Sequence, residues 1–483
     1  MTGRRGSLPL AAAAAMLFTA CPGARELRAQ TNDELMAIIR EQQRQIDELS
    51  RKVDALTGQT ETASEKAEEP EEAEEQAAPA VETTQKVEQA APDIQVKWAP
   101  GPTFSSKDGS WSVHVRGRLL VDGGALGDED DLYKDDNGVE LRSARLGIEG
   151  DFYQGWSYKF ETDFGVGDVD VKDAYIEYDG ALVDPAYVRV GQYKAPNSLE
   201  WLTSTRFLTF MERSAIVDAF ALDRKIGLGT GASGENWGAD AGVFGQNAAD
   251  VNDNEGYALA ARGHYAFFPA PKEATASNSQ VVHLGASARY RNFDNDTFGS
   301  EVTYRQRPFF HFTGTRSVDT GSIPDSEGDV WAGAEFAWVN GPFSLQSEVA
   351  NTALQRKNGE DDANNLWGGY LGASWFLTGE HRNYDPEEGV FDRVEVSAPV
   401  HEGGAGAWEV AARADYIDLN DEGVKGGEQI SYIAGVNWYV NDYVRFMLDG
   451  AVTQVFDAED TEAAVEGSQN VIYGGGVRAQ VDW

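Results

Sequence analysis

The sequence predicts an all-β protein: an antiparallel transmembrane β-barrel of about 16 strands, preceded by a short N-terminal coiled-coil helix and an acidic linker. Three observations carry this. Runs of about ten residues alternate between apolar and charged side chains. Beyond about the first 25 residues, no apolar stretch approaches the roughly 18 residues of a spanning helix. The chain also ends on an aromatic in the apolar phase of its last run, VIYGGGVRAQVDW.

Before the alternation begins, three segments differ in composition. Residues 1–29 read as an export signal, with Arg4 and Arg5 ahead of LPLAAAAAMLFTA and cleavage expected between Ala24 and Gln30. FTAC, ending at Cys21, resembles a lipobox with Phe18 where leucine is usual. Residues 30–58 carry Leu35, Ile39, Gln42, Ile46, Leu49, Val53 and Leu56 in steps of four and three, the seam of a coiled coil opened by Thr31 and Glu34 as a capping box. This predicts self-association in the periplasm. Residues 59–93 turn to Glu, Ala, Pro, Gln and Thr, a composition that cannot bury enough apolar surface to fold, so a linker is expected.

Residues 94–483 are the predicted barrel. WSYKFETDF sets Trp156, Tyr158, Phe160, Thr162 and Phe164 against Ser157, Lys159, Glu161 and Asp163. WSVHVRGRLLV sets Val113, Val115, Leu119 and Val121 against His114, Arg116 and Arg118. SARLGIEGDF, YALAARGHYAF, VVHLGASARYR and WEVAARADY repeat the scheme. A lipid face and a wet lumen explain both phases. Tyrosine and tryptophan at run ends, as at Trp156, Tyr257, Trp338, Tyr416 and Trp438, fit interface girdles. Roughly seventeen runs can be counted, with EVTY and RQRPFFHFTGT joined as one. A closed bacterial barrel has an even number, which gives sixteen, with eighteen as the alternative.

Composition narrows the function classes. A net charge of -40 makes nucleic acid an improbable partner. One cysteine excludes a disulfide framework and a thiolate metal site. The six histidines, His114, His264, His283, His311, His381 and His401, include no HExxH or other metal-spaced pair, and GxSxG is absent. No cofactor, no metal and no catalytic residues are therefore expected. His264 and His283 with Ser287 would be the starting point for a barrel hydrolase.

LRSARLGIEGDFYQGWSYKFETDFG, DVKDAYIEYDG, VRVGQYKAPNSLEWLTSTRFLTFMERS and ALDRKIGLG together resemble the phosphate-selective porin O/P family of bacterial outer membranes. The resemblance implies a sixteen-stranded homotrimeric porin, a third loop folded inward as a constriction, lumen arginines and a lysine-containing central site. By phase, Arg116, Arg118, Arg145, Lys159, Arg189, Arg262, Arg289 and Arg291 are the expected pore-lining cations, opposed by Glu149, Glu161, Asp163, Asp173, Glu177, Glu335 and others in the same phase. Lys194 to Arg213 interrupts the alternation and is the expected constriction loop, with Lys194, Arg206, Arg213, Arg224 and Lys225 as its cations. The expected function is passive diffusion of small hydrophilic solutes, with anions such as phosphate favoured. The alternatives are a non-selective or carbohydrate-permeable pore, or an envelope tether gripped through the coiled coil. Outer-membrane lipid and lipopolysaccharide are the expected surroundings.

Overall fold

A computed structural model describes residues 94–98, 101–129, 136–165, 167, 169–180, 185–248, 256–268, 279–293, 302–356, 364–457 and 470–483. The export signal, the coiled coil and the linker lie outside the described residues.

The strands are β1 (Ile94–Trp98), β2 (Pro102–Ser106), β3 (Ser112–Asp128), β4 (Asp136–Asp151), β5 (Trp156–Asp163), β6 (Asp170–Asp179), β7 (Ala186–Tyr193), β8 (Lys225–Gly234), β9 (Trp237–Phe244), β10 (Tyr257–Phe267) and β11 (Gln280–Asn292). There follow β12 (Arg305–Gln306), β13 (Val318–Asp319), β14 (Ser326–Asn340), β15 (Phe343–Arg356), β16 (Asn364–Phe376), β17 (Asn383–Asp385), β18 (Val390–Asp392), β19 (Ala407–Asp421), β20 (Val424–Asn441), β21 (Val444–Phe456) and β22 (Asn470–Asp482). β3–β11, β14–β16 and β19–β22 pair antiparallel with their neighbours, and β22 returns to pair with β3, so sixteen strands close a barrel. Closure satisfies the backbone polar groups that lipid cannot. β1 and β2 form a hairpin that adds to the start of β3.

The alternation sorts the two faces as expected. Leu119, Phe160, Leu228, Leu259, Leu284, Leu371, Leu448 and Val477 are exposed on the outside, while Arg262, Glu335, Arg413 and Asp449 of the opposite phase are buried within. Rings pair at both rims: Trp156 with Tyr178 and Trp408 with Trp438 near one, Tyr257 with Tyr290 and Trp367 with Tyr416 near the other. At the seam Trp483 and Gly117 exchange backbone hydrogen bonds of 3.0 Å each. A Cβ on Gly117 would fall 2.3 Å from the Trp483 ring, so glycine is what lets that ring lie flat on the closing strand.

One run departs from the expectation. Val302 to Thr315 is not a wall strand; apart from the short pair β12–β13 and a bridge from Val302 to Ile323, it folds into the lumen. Phe309 adopts φ 123°, which breaks the extended alternation. Phe309 and Phe310 then bury beside Met211 and Leu126 rather than facing lipid. Removing this run from the roughly seventeen leaves the even number that closure requires.

Most tight connections, such as those between Gly234 and Trp237 and between Asn340 and Phe343, lie at one rim, the turn end, and segments such as 194–224 leave from the other, the loop end, where Asp421 and Val424 also meet in a short turn. Short turns mark the periplasmic side of such barrels. One long insertion, 377–406, rises from the turn end.

Candidate functional site

Segment 194–224 leaves β7, crosses the inside of the barrel and returns to β8. Ser198 starts a one-turn helix, Leu199–Leu202, its Oγ accepting from Trp201 N at 2.9 Å. The orphan carbonyls at the helix end draw two cations. Lys194 Nζ donates to Trp201 O at 2.6 Å and Leu202 O at 3.1 Å. Arg213 donates to Glu200 O at 3.2 Å and Thr203 O at 3.0 Å. The two cations also flank the Trp201 ring, at 5.2 and 5.1 Å. Burial, with the nearby guanidinium of Arg213, holds the Lys194 pKa well below that of an ordinary lysine. Lys194 and Arg213 therefore spend their donors on bracing the loop.

Further along, wall side chains hold the loop backbone. Arg445 donates to Leu208 O at 2.7 Å and Thr209 O at 3.0 Å, and Met211 N donates to Asp449 Oδ2 at 2.8 Å. Arg413 donates to Glu212 O and Arg213 O at 3.1 Å each. Glu200 accepts from Ser214 N and Oγ and pairs with Arg413 at 3.3 Å. Glu212 takes a bidentate pair from Arg142, at 3.1 and 3.0 Å, and a bond of 2.8 Å from Arg478. Burial pushes the Glu212 carboxyl up, but Arg142 and Arg478 outweigh it and bring its pKa down to about 2. The helix Ala215–Phe220, with Phe210 and Met211, packs on Tyr304, Phe309, Phe310, Trp331 and Ile433 in a dry core inside the barrel.

The remaining expected loop cations sit at its edges. Arg206 stacks on Phe207 at 4.8 Å and lies 3.7 Å from Asp482. Arg224 pairs with Asp173 at 2.7 Å, and Lys225 opens β8 opposite Tyr193.

The insertion 377–406 meets this loop from the turn end. Tyr384 and Phe391 bury beside Leu199, and Phe391 N donates to Thr203 Oγ1 at 3.4 Å. His264 and His283 stack at 5.7 Å, but their partners are Pro386 O, Tyr384 and Glu335. Ser287 Oγ is buried without a partner, so it joins neither histidine.

The eight expected wall cations all carry inward partners and divide by exposure. Arg262 pairs with Glu335 at 2.9 Å and Arg289 with Asp329 at 3.3 Å, and both side chains are 0% exposed. Arg118, bonded to Thr205 and Glu161, is also buried. Arg145 binds Glu161 and Asp163 at 2.7 Å each. Arg291 binds Asp329 and Tyr304. Water reaches Arg291, 22% exposed on β11, and part of the lower wall of β3–β7, where Lys159 is 20% exposed, Arg189 25% and Glu149 34%. There Arg116 and Lys159 share Glu149, and Arg189 binds Glu177 at 2.6 Å beneath the rings of Tyr175, Tyr187 and Tyr193.

Sequence phase missed Arg142, because a bulge opposite Leu120 and Val121 turns Leu141 outward and swings Arg142 toward Glu212. It also missed Arg382, which packs 3.4 Å over Phe391 and binds Gln346 at 2.9 Å. That residue lies in the insertion, where no alternation exists to read.

Residues 113–483 match the family model described as phosphate-selective porin O and P. The chain belongs to that family. It is 32% identical over 372 residues to an uncharacterized protein of Caulobacter vibrioides, covering 74% of this chain and 72% of that protein. It is 28% identical over 389 residues to Porin O of Pseudomonas aeruginosa, covering 73% and 85%. Among solved structures it is similar to an anion-selective porin from Comamonas acidovorans, with 13% identity, TM-score 0.46, and coverage of 77% of this chain and 99% of that one. It is likewise similar to the outer membrane channel DcaP of Acinetobacter baumannii, with 11% identity, TM-score 0.46, and coverage of 79% and 99%. Family and barrel together make this chain an outer-membrane porin.

Proposed function

We propose that this porin admits small hydrophilic solutes by passive diffusion along the wall of β3–β7, past the inward loop, with anions weakly favoured. The observation that carries this reading is the band of half-exposed charges, Glu149, Lys159, Glu177 and Arg189, on the wall of β3–β7. Transverse pairs of this kind hold a field across water without closing the path. Guanidinium and ammonium groups on this wall give an anion somewhere to bind. Phosphate, the solute in the family's description, must compete with Glu149, Glu161 and Glu177 for the same donors. This keeps the expected preference for phosphate modest.

The decisive experiment is conductance of the refolded protein in planar bilayers. Salt-gradient reversal should give a small anion preference, and added phosphate should reduce chloride current. A barrel that never conducts would refute the reading. Replacing Arg116, Lys159 and Arg189 together by glutamine should move the reversal potential toward cations; an unmoved potential would place selectivity elsewhere.

Assembly as a homotrimer is part of the same proposal: the heptad seam from Leu35 to Leu56 supports self-association, with a dimer as its nominal preference, and the trimer is what the family resemblance implies. Deleting Thr31 to Leu56 should loosen the oligomer while the barrel stays folded, because barrel closure satisfies its own hydrogen bonds. Cross-linking that finds the oligomer unchanged would remove the coiled coil from assembly.

A further inference from the structure

The tip of the β17–β18 hairpin is clamped against the wall. Arg262, itself fixed by Glu335, donates to Glu388 O at 3.1 Å and Gly389 O at 2.7 Å. His264 Nε2 lies 2.9 Å from Pro386 O, and His283 Nδ1 lies 2.6 Å from the Tyr384 hydroxyl. Gly389 has φ 66°, and a Cβ there would fall 2.5 Å from the His264 ring. Asp385 Oδ1 accepts from Glu387 N at 2.9 Å and Glu388 N at 3.2 Å, which closes the turn. The backbone of the tip is thus held on several sides, while the side chains of Glu387 and Glu388 stay exposed.

What faces Glu388 is the half-exposed wall. Burial raises the Glu388 pKa above that of an ordinary glutamate and Asp385 and Asp392 of its own hairpin add to the rise, while Lys159 on β5 and Arg189 on β7 oppose it. Tyr175 on β6 feels the charge of Glu388 in turn. The wall cations outnumber their carboxylates by one here: Arg116 and Lys159 share Glu149, and Arg189 takes Glu177. Among the described residues Glu388 forms no ion pair within 4.0 Å, so its charge offsets this excess from a distance, without a salt-bridge partner of its own.

We infer that Glu388 is a specificity-determining residue of the pore, an exposed carboxylate that the clamped hairpin tip holds inside the lumen, where it lowers the preference for anions near the turn end. The inference rests on the diffusion-pore reading above. Dense anions such as inorganic phosphate are therefore held less strongly at this point than the wall cations alone would hold them. Uncharged solutes, and anions that also bear a cationic group, do not carry that penalty.

The test measures zero-current potentials in a potassium chloride gradient for wild type, Glu388→Gln, Glu388→Lys and the exposed-site control Glu402→Gln. Removing one unpaired charge from a narrow lumen should raise the chloride-to-potassium permeability ratio about twofold, and reversing it should raise the ratio further. Inorganic phosphate should then reduce chloride current at lower concentration in both Glu388 variants, with Glu402→Gln like wild type. A Glu388→Lys pore that conducts with the wild-type ratio would overturn the inference, as would an equal shift in the Glu402 control. Absence of conductance in wild type would instead remove the diffusion-pore reading beneath it.

Discussion

The two sides of this lumen use the same residue types for different ends. On the lower wall of β3–β7, Lys159, Arg189 and Glu149 are each 20% exposed or more. On the wall from β10 to β22, Arg262, Arg289 and Arg413 are 0%, 0% and 1% exposed, and each clamps a loop segment as well as a carboxylate. Facing inward is therefore not the same as facing water. A charge in the wet wall acts on solutes; one in the dry wall holds the loop that narrows the path.

The largest way to break this contrast is to strip a dry-wall clamp. Arg413→Ala leaves Glu200 and Asp415 buried without their shared partner, which should cost roughly 3 to 5 kcal/mol. A lower midpoint for loss of the folded band on unheated gels, with higher and noisier single-channel conductance, is the expected result. Unchanged conductance would mean that segment 194–224 stays seated without this clamp.

Acid tests a second clamp. Glu212 has a folded pKa of about 2 against an ordinary 4.5, so its contribution is present above about pH 4.5 and is lost as pH falls through about 2. The difference is on the order of 3 kcal/mol. Conductance that rises on acidification within that window, with the rise absent in Glu212→Gln, is the expected outcome.

The wet wall should respond the other way round. Lys159→Gln with Arg189→Gln should shift the reversal potential toward cations, while partly exposed pairs of this kind contribute about 1 kcal/mol or less to stability. A large drop in the unfolding midpoint would show that this wall is structural too. The smallest effect is expected at Lys172, whose partner Asp170 is exposed at the strand end. Lys172→Ala should change unfolding by no more than about 0.5 kcal/mol.

Sequence alone determined the barrel and most of its inward side. Period-two alternation fixes which residues share a face, because side chains on a strand have no other choice. The parity of a closed barrel then limited the strand count, and tyrosine and tryptophan recurring at run ends, as at Trp156 and Trp438, favoured a lipid face over a soluble core. The interruption from Lys194 to Arg213 was legible as a break in that pattern. What occupies the lumen was decided only by tertiary structure. That Phe309 and Phe310 turn inward, that Arg142 crosses to Glu212 at a bulge, and that 377–406 meets Leu199 and His283 from below depend on contacts between residues far apart in the chain. Alternation records the face on which a side chain stands. Whether water or a loop covers that face is set by packing, which no local period encodes.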